Sequence, residues 1–144
     1  MRGYVSDAVR LRVRQAAGDR CGYCLSHQRY VLGPHEAEHL VPLAAGGTDD
    51  EDNLWLACAR CNRFKGAQVE ARDAVTGEVH PLFDPRRQRW DEHFRWAFNG
   101  ERVEGITPLG RATVEALRMN HEHTVAIRRN WILAGWHPPT PATG

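Results

Sequence analysis

The sequence predicts a small α+β protein, with an N-terminal helix, a short ββα unit and a mainly helical C-terminal part. Three observations lead to this prediction. Apolar residues recur at helical spacing near both ends of the chain. Between them, two short apolar runs flank a glycine-containing loop, and a short helical segment follows the second run. Four cysteines form one pair before this unit and one pair at its helix, and the unit has too little apolar surface to hold itself together.

The first helix is predicted over Asp7–Ala17. Ser6 is suited to cap it, because a serine hydroxyl accepts a hydrogen bond from the first turn of a helix. Apolar residues then recur on one face, and Gly18 marks the end of the pattern. Further along, Tyr30–Leu32 is predicted to be a short strand, which a Gly-Pro pair interrupts.

The ββα unit has predicted bounds of Ala37–Val41 for the first strand, Leu54–Ala57 for the second and Ala59–Lys65 for the helix. Pro42 ends the first strand, because proline has no N–H to donate to a strand ladder. The loop over residues 44–52 turns at a Gly-Gly pair, and Gly66 closes the helix.

The C-terminal part is predicted to be mainly helical. Trp90, Phe94 and Phe98 recur at a spacing of four, which predicts a helix over Arg89–Phe98 with these rings on one face. A short strand over residues 102–106 follows.

Thr107 and Pro108 then form a favourable helix start, and apolar spacing predicts one or two further helices that end at Ala134. The expected organisation is a core over residues 1–70, an extension packed on it over residues 71–135, and a flexible tail over residues 136–144.

The four cysteines predict a structural zinc site. They form two CxxC pairs separated by thirty-three residues, and these pairs are Cys21 with Cys24 and Cys58 with Cys61. Two residues between paired thiolates allow both sulfurs to bind one ion, and two such pairs complete a closed tetrahedron. A closed site leaves no position for substrate, so this zinc is structural. Unligated thiols or a redox CxxC are the alternatives, and two intact pairs near turn residues disfavour them.

A second group of residues suits phosphodiester hydrolysis. His39 is the candidate general base, since imidazole exchanges protons near neutral pH. Glu38 and Asn62 offer oxygen ligands to a hard divalent ion such as magnesium or manganese. Glu38 and His39 are neighbours on a strand, so their side chains point to opposite faces unless the strand ends or twists there. Pro42 favours such a break. Asn53 is placed to brace the loop and orient His39.

Charge distribution is more informative than the net charge of +1. Three cations lie beside the second cysteine pair and are expected to contact phosphates: Arg60, Arg63 and Lys65. A second basic cluster comprises Arg86, Arg87 and Arg89. The acidic residues 49–52 are expected to form a solvated loop tip, because phosphate would repel them.

The first CxxC pair, the motifs EHLVP, GG and NL, and the second CxxC pair within CARCNRFK together resemble the HNH endonuclease family in its four-cysteine form. The resemblance implies a ββα-metal (His-Me finger) nuclease core over residues 1–70. It implies His39 as base, Glu38 and Asn62 as ligands of one divalent metal, and Asn53 as the structural asparagine of the catalytic set. Two departures from the family pattern, Glu38 instead of Asp and Asn62 instead of His, favour magnesium or manganese.

The resulting expectation is a metal-dependent endonuclease that cleaves DNA and leaves 5′-phosphate and 3′-hydroxyl ends, as the family resemblance implies. The alternatives are a non-catalytic zinc module that binds nucleic acid and an RNA-directed nuclease. A homodimer would allow double-strand cutting by a single-site enzyme. No apolar stretch approaches the roughly 20 residues of a membrane span. The first seven residues lack an apolar signal core, so a cytoplasmic protein is expected.

Overall fold

The computed structural model describes residues 5–140 and has an α+β fold, as predicted. The helices are α1 (Asp7–Ala17), α2 (Ala59–Lys65), α3 (Trp90–His93), α4 (Pro108–Ala116) and α5 (Glu122–Leu133). The strands are β1 (Glu36–His39), β2 (Leu54–Ala57), β3 (Glu70–Arg72), β4 (Val79–Pro81), β5 (Phe94–Ala97) and β6 (Arg102–Gly105). The strands form three antiparallel hairpins, β1–β2, β3–β4 and β5–β6.

Helix α1 has the predicted bounds and the predicted caps. The Ser6 hydroxyl accepts a hydrogen bond from the backbone of Val9, and Gly18 adopts the left-handed conformation that ends many helices. Val13 is fully buried and packs with Leu54 and Leu56 of β2. The helix therefore covers one face of the β1–β2 hairpin.

The β1–β2 hairpin and α2 form the predicted ββα unit. Strand β1 lies antiparallel to β2, with Glu38 opposite Trp55 and His39 opposite Leu54. Strand β2 and helix α2 have the predicted bounds, whereas β1 begins and ends earlier than expected, at Glu36 and His39. His39 is thus the last residue of its strand.

The predicted strand over Tyr30–Leu32 is wrong. Gln28–Tyr30 forms a 3-10 turn instead, and the side chain of Leu32 is fully exposed. Gly33 has a positive φ of 79°, which bends the chain away from an extended path. Among residues 5–140 the short apolar run has no partner strand, so its β propensity has no effect.

The predicted helix over Arg89–Phe98 is also wrong. Only Trp90–His93 is helical, and β5 then pairs with β6 across a turn in which Asn99 and Gly100 both have positive φ. Phe94 is buried, but Phe98 is 72 % exposed, so the three rings do not share one face. The Asn-Gly pair is a hairpin signal rather than a helix end.

One hydrophobic core joins the ββα unit to the C-terminal extension. Tyr23 and Ala57 from the first part pack in the same cluster as Phe83, Phe94 and other residues of the second. Six residues of this cluster come from beyond residue 70: Leu82, Phe83, Phe94, Val103, Leu117 and Met119.

The beginning of the predicted flexible tail is anchored. His137 is 4 % exposed, packs edge-on against Trp96, and forms a hydrogen bond with the Gly100 carbonyl. Residues 141–144 of that tail, and residues 1–4 of the expected signal-free N-terminus, lie outside the described residues. Between residues 5 and 140, no helix is both long and apolar enough to cross a membrane.

Candidate functional site

The four cysteines converge at one point, as predicted. Their sulfur atoms all lie within 4.8 Å of one another, and none is in a disulfide. The sulfurs of Cys24 and Cys58 are 3.8 Å apart. Two sulfurs bound to one tetrahedral ion at about 2.3 Å would lie about 3.8 Å apart. The donor set and its spacing therefore suit a structural zinc site.

Helix α2 begins inside this cysteine cluster. Cys58 is its N-cap, and the Cys58 sulfur accepts a hydrogen bond from the backbone N–H of Cys61. Hydrogen bonds from the neighbouring thiols, that of Cys21 first, hold the pKa of Cys24 well below its ordinary value. Burial raises the pKa of Cys21, and the neighbouring thiols, that of Cys21 first, raise the pKa of Cys61. A thiolate is the form that binds zinc, so zinc binding would displace protons from these two cysteines.

Arg128 places a buried positive charge beside the cysteine cluster. Its side chain is 1 % exposed and donates hydrogen bonds to the carbonyls of Glu101 and Met119. The pKa of Arg128 is lowered, mainly by burial, although the thiolate charges of Cys24 and Cys61 act in the opposite direction. This cation from α5 offsets negative charge that four thiolates would concentrate there.

The structure places Glu38 inside the protein rather than at an open metal site. Glu38 is 2 % exposed, and one carboxylate oxygen lies 2.7 Å from the Lys65 ammonium. The same oxygen accepts a hydrogen bond from the Tyr23 hydroxyl at 3.0 Å. Burial raises the pKa of Glu38, although the Lys65 charge acts in the opposite direction. Glu38 is buried because side chains alternate along β1, and this alternation directs Glu38 toward α2.

Lys65 is not available to a phosphate, which corrects the sequence-based expectation. Besides Glu38, its ammonium donates to the carbonyls of His39 and Leu40, both at 3.1 Å. The side chain is 3 % exposed. Lys65 therefore joins the end of α2 to the end of β1 as an internal ion pair.

Arg60 and Arg63 are the other two cations expected to contact phosphates, and their surroundings differ from that of Lys65 and from each other. Arg60 donates to the carbonyls of Leu117 and Arg118, and its guanidinium lies 4.7 Å from the Phe64 ring centre. Arg63 is exposed and forms no hydrogen bond or ion pair with any residue in the described part of the chain. Of the three, Arg63 alone combines exposure with an uncommitted guanidinium.

Asn62 lies beside a carboxylate, but that carboxylate is Glu36. The Asn62 amide donates to Glu36 at 2.6 Å. Glu36 and Glu38 are two residues apart on β1 and thus share the face toward α2. This face has two pairs, Glu36 with Asn62 and Glu38 with Lys65.

The oxygen donors of this face are of the type that a hard divalent ion takes. One oxygen of Glu38, Oε2, is buried and has no hydrogen-bond partner among the described residues, so it suits a cation. The Lys65 ammonium opposes a second cation there. Within residues 5–140, the cysteines are the one cluster of three or more His, Cys, Asp or Glu residues close enough to hold a metal.

His39 lies at the end of β1 with its side chain 25 % exposed. Its Nε2 atom is 2.7 Å from a carboxylate oxygen of Asp49, in the loop between the strands. Asp49 belongs to the segment expected to be a solvated tip, and the structure corrects that expectation for this residue. The imidazole is thus both accessible and held by a neighbouring carboxylate.

Asn53 closes the loop that carries Asp49. Its side-chain oxygen accepts from the Val41 N–H, and its side-chain nitrogen donates to the carbonyls of Val41 and Thr48. Gly47 fits here because an added Cβ would lie 1.7 Å from the Val41 carbonyl oxygen. The side-chain amide therefore fixes the path of the backbone directly after His39.

Sequence reasoning missed Glu36 and Asp49 as members of this site. The signal for Glu36 was present, since it is two residues before Glu38 and shares its face. Asp49 had no comparable signal, because loop conformation rather than periodicity brings it to His39.

The comparisons with known proteins agree with the four-cysteine ββα geometry. Residues 21–68, a third of the chain, match the family model described as HNH endonuclease. No curated protein and no solved structure matches the chain. The matched segment contains the four cysteines, His39, Asn53 and Asn62, and its family indicates nuclease-type hydrolysis of nucleic acid. Over residues 21–68, the chain is thus similar to the HNH endonuclease family.

Proposed function

We propose that this protein is a metal-dependent endonuclease that hydrolyses phosphodiester bonds in DNA, with His39 as the general base. The observation that carries the proposal is the position of His39 at the end of β1. Its imidazole is 25 % exposed, and its Nδ1 atom forms no hydrogen bond with a described residue. A base must reach the proton that it abstracts, and this nitrogen is not among the buried side-chain atoms of residues 5–140 that lack a hydrogen-bond partner.

In the proposed reaction, His39 Nδ1 takes a proton from a water molecule as the water oxygen bonds to phosphorus. The bond from phosphorus to the 3′ oxygen breaks, and the electron pair leaves with that oxygen, which takes a proton from solvent. The products have 5′-phosphate and 3′-hydroxyl ends. Arg63, exposed on α2 one residue after Asn62, is the proposed phosphate contact.

Glu38 and Asn62 remain the proposed ligands of the catalytic metal. When bound, a divalent ion supplies Lewis-acid stabilisation to the phosphate and to the departing oxygen. The unpartnered Oε2 of Glu38 supports this role, and Glu36 is a third oxygen donor bonded to Asn62. The oxygen-rich donor set favours magnesium or manganese over zinc at this position.

The test is cleavage of supercoiled plasmid by zinc-loaded protein after removal of other metals, with magnesium or manganese added back. We expect nicking only with added metal, and DNA ligase should reseal the nicks because it needs a 5′-phosphate and a 3′-hydroxyl. An RNA of similar length is the matched substrate. Cleavage of RNA alone would contradict the DNA assignment, and no cleavage of either would favour a binding module.

The metal ligands can be tested with a matched pair of substitutions. Glu38→Gln and Glu36→Gln remove the same charge from the same face of β1. If Glu38 is the ligand, Glu38→Gln should raise the metal concentration needed for half-maximal nicking about tenfold or more, since ligand-shell changes have effects of this order. A rise in Glu36→Gln without one in Glu38→Gln would transfer the ligand role to Glu36.

A further inference from the structure

The contact between His39 and Asp49 has a chemical consequence for the imidazole. The Nε2 atom of His39 lies 2.7 Å from Oδ1 of Asp49, and both side chains are partly exposed, at 25 % and 30 %. An ionised carboxylate only accepts hydrogen bonds. When the imidazole is neutral, its one proton must therefore sit on Nε2, which leaves the lone pair on Nδ1.

The loop that carries Asp49 is held at its start by the chain after β1. Asn53 forms three side-chain hydrogen bonds to the backbone of Val41 and Thr48. The backbone N–H of Gly47 also donates to the Pro42 carbonyl at 2.9 Å. Asp49 therefore lies on a loop whose backbone is fixed by hydrogen bonds, rather than on a solvated tip.

The other end of the loop is held by arginines of the C-terminal extension. Arg86 donates to the carbonyls of Glu51 and Leu54, at 2.8 and 3.1 Å, and Arg87 donates to the Asp52 carbonyl at 2.8 Å. Both arginines belong to the second basic cluster of the sequence. In the structure they fix the acidic loop and place positive charge beside it.

We propose that Asp49 is the positioning residue of His39. It holds the ring in the tautomer that exposes the basic Nδ1 atom, and it stabilises the imidazolium that forms when Nδ1 takes a proton. This role rests on the proposed function of His39 as a base. Asp49 itself contacts neither substrate nor metal in this account.

The direct test is the tautomer of His39, read by nitrogen-15 NMR of the zinc-loaded full chain with labelled histidines. The His39 signals are assigned by their loss in His39→Gln, at an alkaline pH where the nitrogen shifts themselves show a neutral ring. We expect protonated Nε2 and unprotonated Nδ1 in the wild type. In Asp49→Ala the two tautomers should mix, so both nitrogen shifts should move toward each other.

Asp52→Ala is the matched control, because it removes an exposed carboxylate from the same loop and Asp52 holds the loop through its backbone. Its His39 signals should equal those of the wild type. An Nδ1-protonated His39 in the wild type, or unchanged signals in Asp49→Ala, would overturn the proposal.

Kinetics provide the second readout. Asp49→Ala should lower kcat about 100-fold or more while KM changes little, since general-base catalysis contributes effects of this size. Asp49→Asn keeps the shape of the side chain but can donate to Nε2 and hold the other tautomer, so it should not recover the loss. A wild type without nuclease activity contradicts the proposed function, whereas the tautomer measurement needs no cleavage and tests Asp49 by itself.

Discussion

The first and second halves of helix α2 differ in how well the sequence predicts their side-chain contacts. At its start, the four cysteine sulfurs lie within 4.8 Å of one another, as their spacing predicts. Further along the helix, Asn62 and Lys65 pair with Glu36 and Glu38. One short helix thus carries a geometry that the sequence determines and one that it leaves open.

The difference follows from what sets each geometry. A CxxC spacing works within a single turn, so local backbone structure brings the two sulfurs together. The pairing of α2 with β1 depends on how a helix packs on a strand, and a shift by two strand residues exchanges Glu38 for Glu36 without changing the face. Local motifs therefore predict ligands more securely than motifs that span two elements.

The largest expected effect is at the cysteine cluster. Removing zinc with a chelator, or changing Cys24→Ser, should unfold the ββα unit, because structural zinc contributes on the order of 10 kcal/mol to folding. Cys24→His keeps a zinc ligand and should retain most of the metal. Metal content by mass spectrometry and thermal unfolding measure both effects. A Cys24→Ser variant that melts like wild type would contradict a structural role for the site.

The ion pair at the other end of α2 should give the next largest effect. Lys65→Met leaves the Glu38 carboxylate buried without its cation and should lower the free energy of unfolding by about 3 kcal/mol. Glu38→Gln combined with Lys65→Met should recover part of this loss. Urea unfolding at fixed zinc concentration measures it.

Arg63→Met is the matched control for Lys65→Met, because it removes a cation from the exposed side of the same helix. It should change stability by less than about 0.5 kcal/mol. Equal losses in the two variants would contradict the distinction between an internal and a solvent-facing cation on α2.

The smallest expected effect is on DNA affinity. Arg63→Gln should weaken binding and lower the slope of log affinity against log salt by about 1, as expected for one lost phosphate contact. Arg60→Gln should change this slope less, since its guanidinium already bonds two backbone carbonyls. Fluorescence anisotropy with a short duplex at several salt concentrations compares them. A larger slope change for Arg60 would reverse the assignment.

Local signals predicted much of the fold. Caps and helical periodicity gave the bounds of α1, and a short apolar run between loop residues gave those of β2. The segment 89–98 failed because rings at positions 90, 94 and 98 fit a helix, whereas the pairing of β5 with β6 is a non-local interaction. Tertiary pairing overrode local propensity there.

The site followed the same division. Residue type and spacing predict the convergence of the four cysteines, which the structure confirms. The roles of His39 and Asn53 stay predictions from the same kind of signal. The burial of Glu38, the ion pair with Lys65 and the contact from Asp49 depend on how the loop and α2 fold back on β1. No periodicity in the sequence encodes those three contacts.

The most direct test of the central claim is plasmid nicking by His39→Ala beside the wild type, with zinc content measured on the same preparations. The account predicts one zinc per chain and unchanged unfolding in both proteins, with nicking lost in the variant. A His39→Ala protein that keeps its zinc and cuts at the wild-type rate would contradict the assignment of His39 as the base.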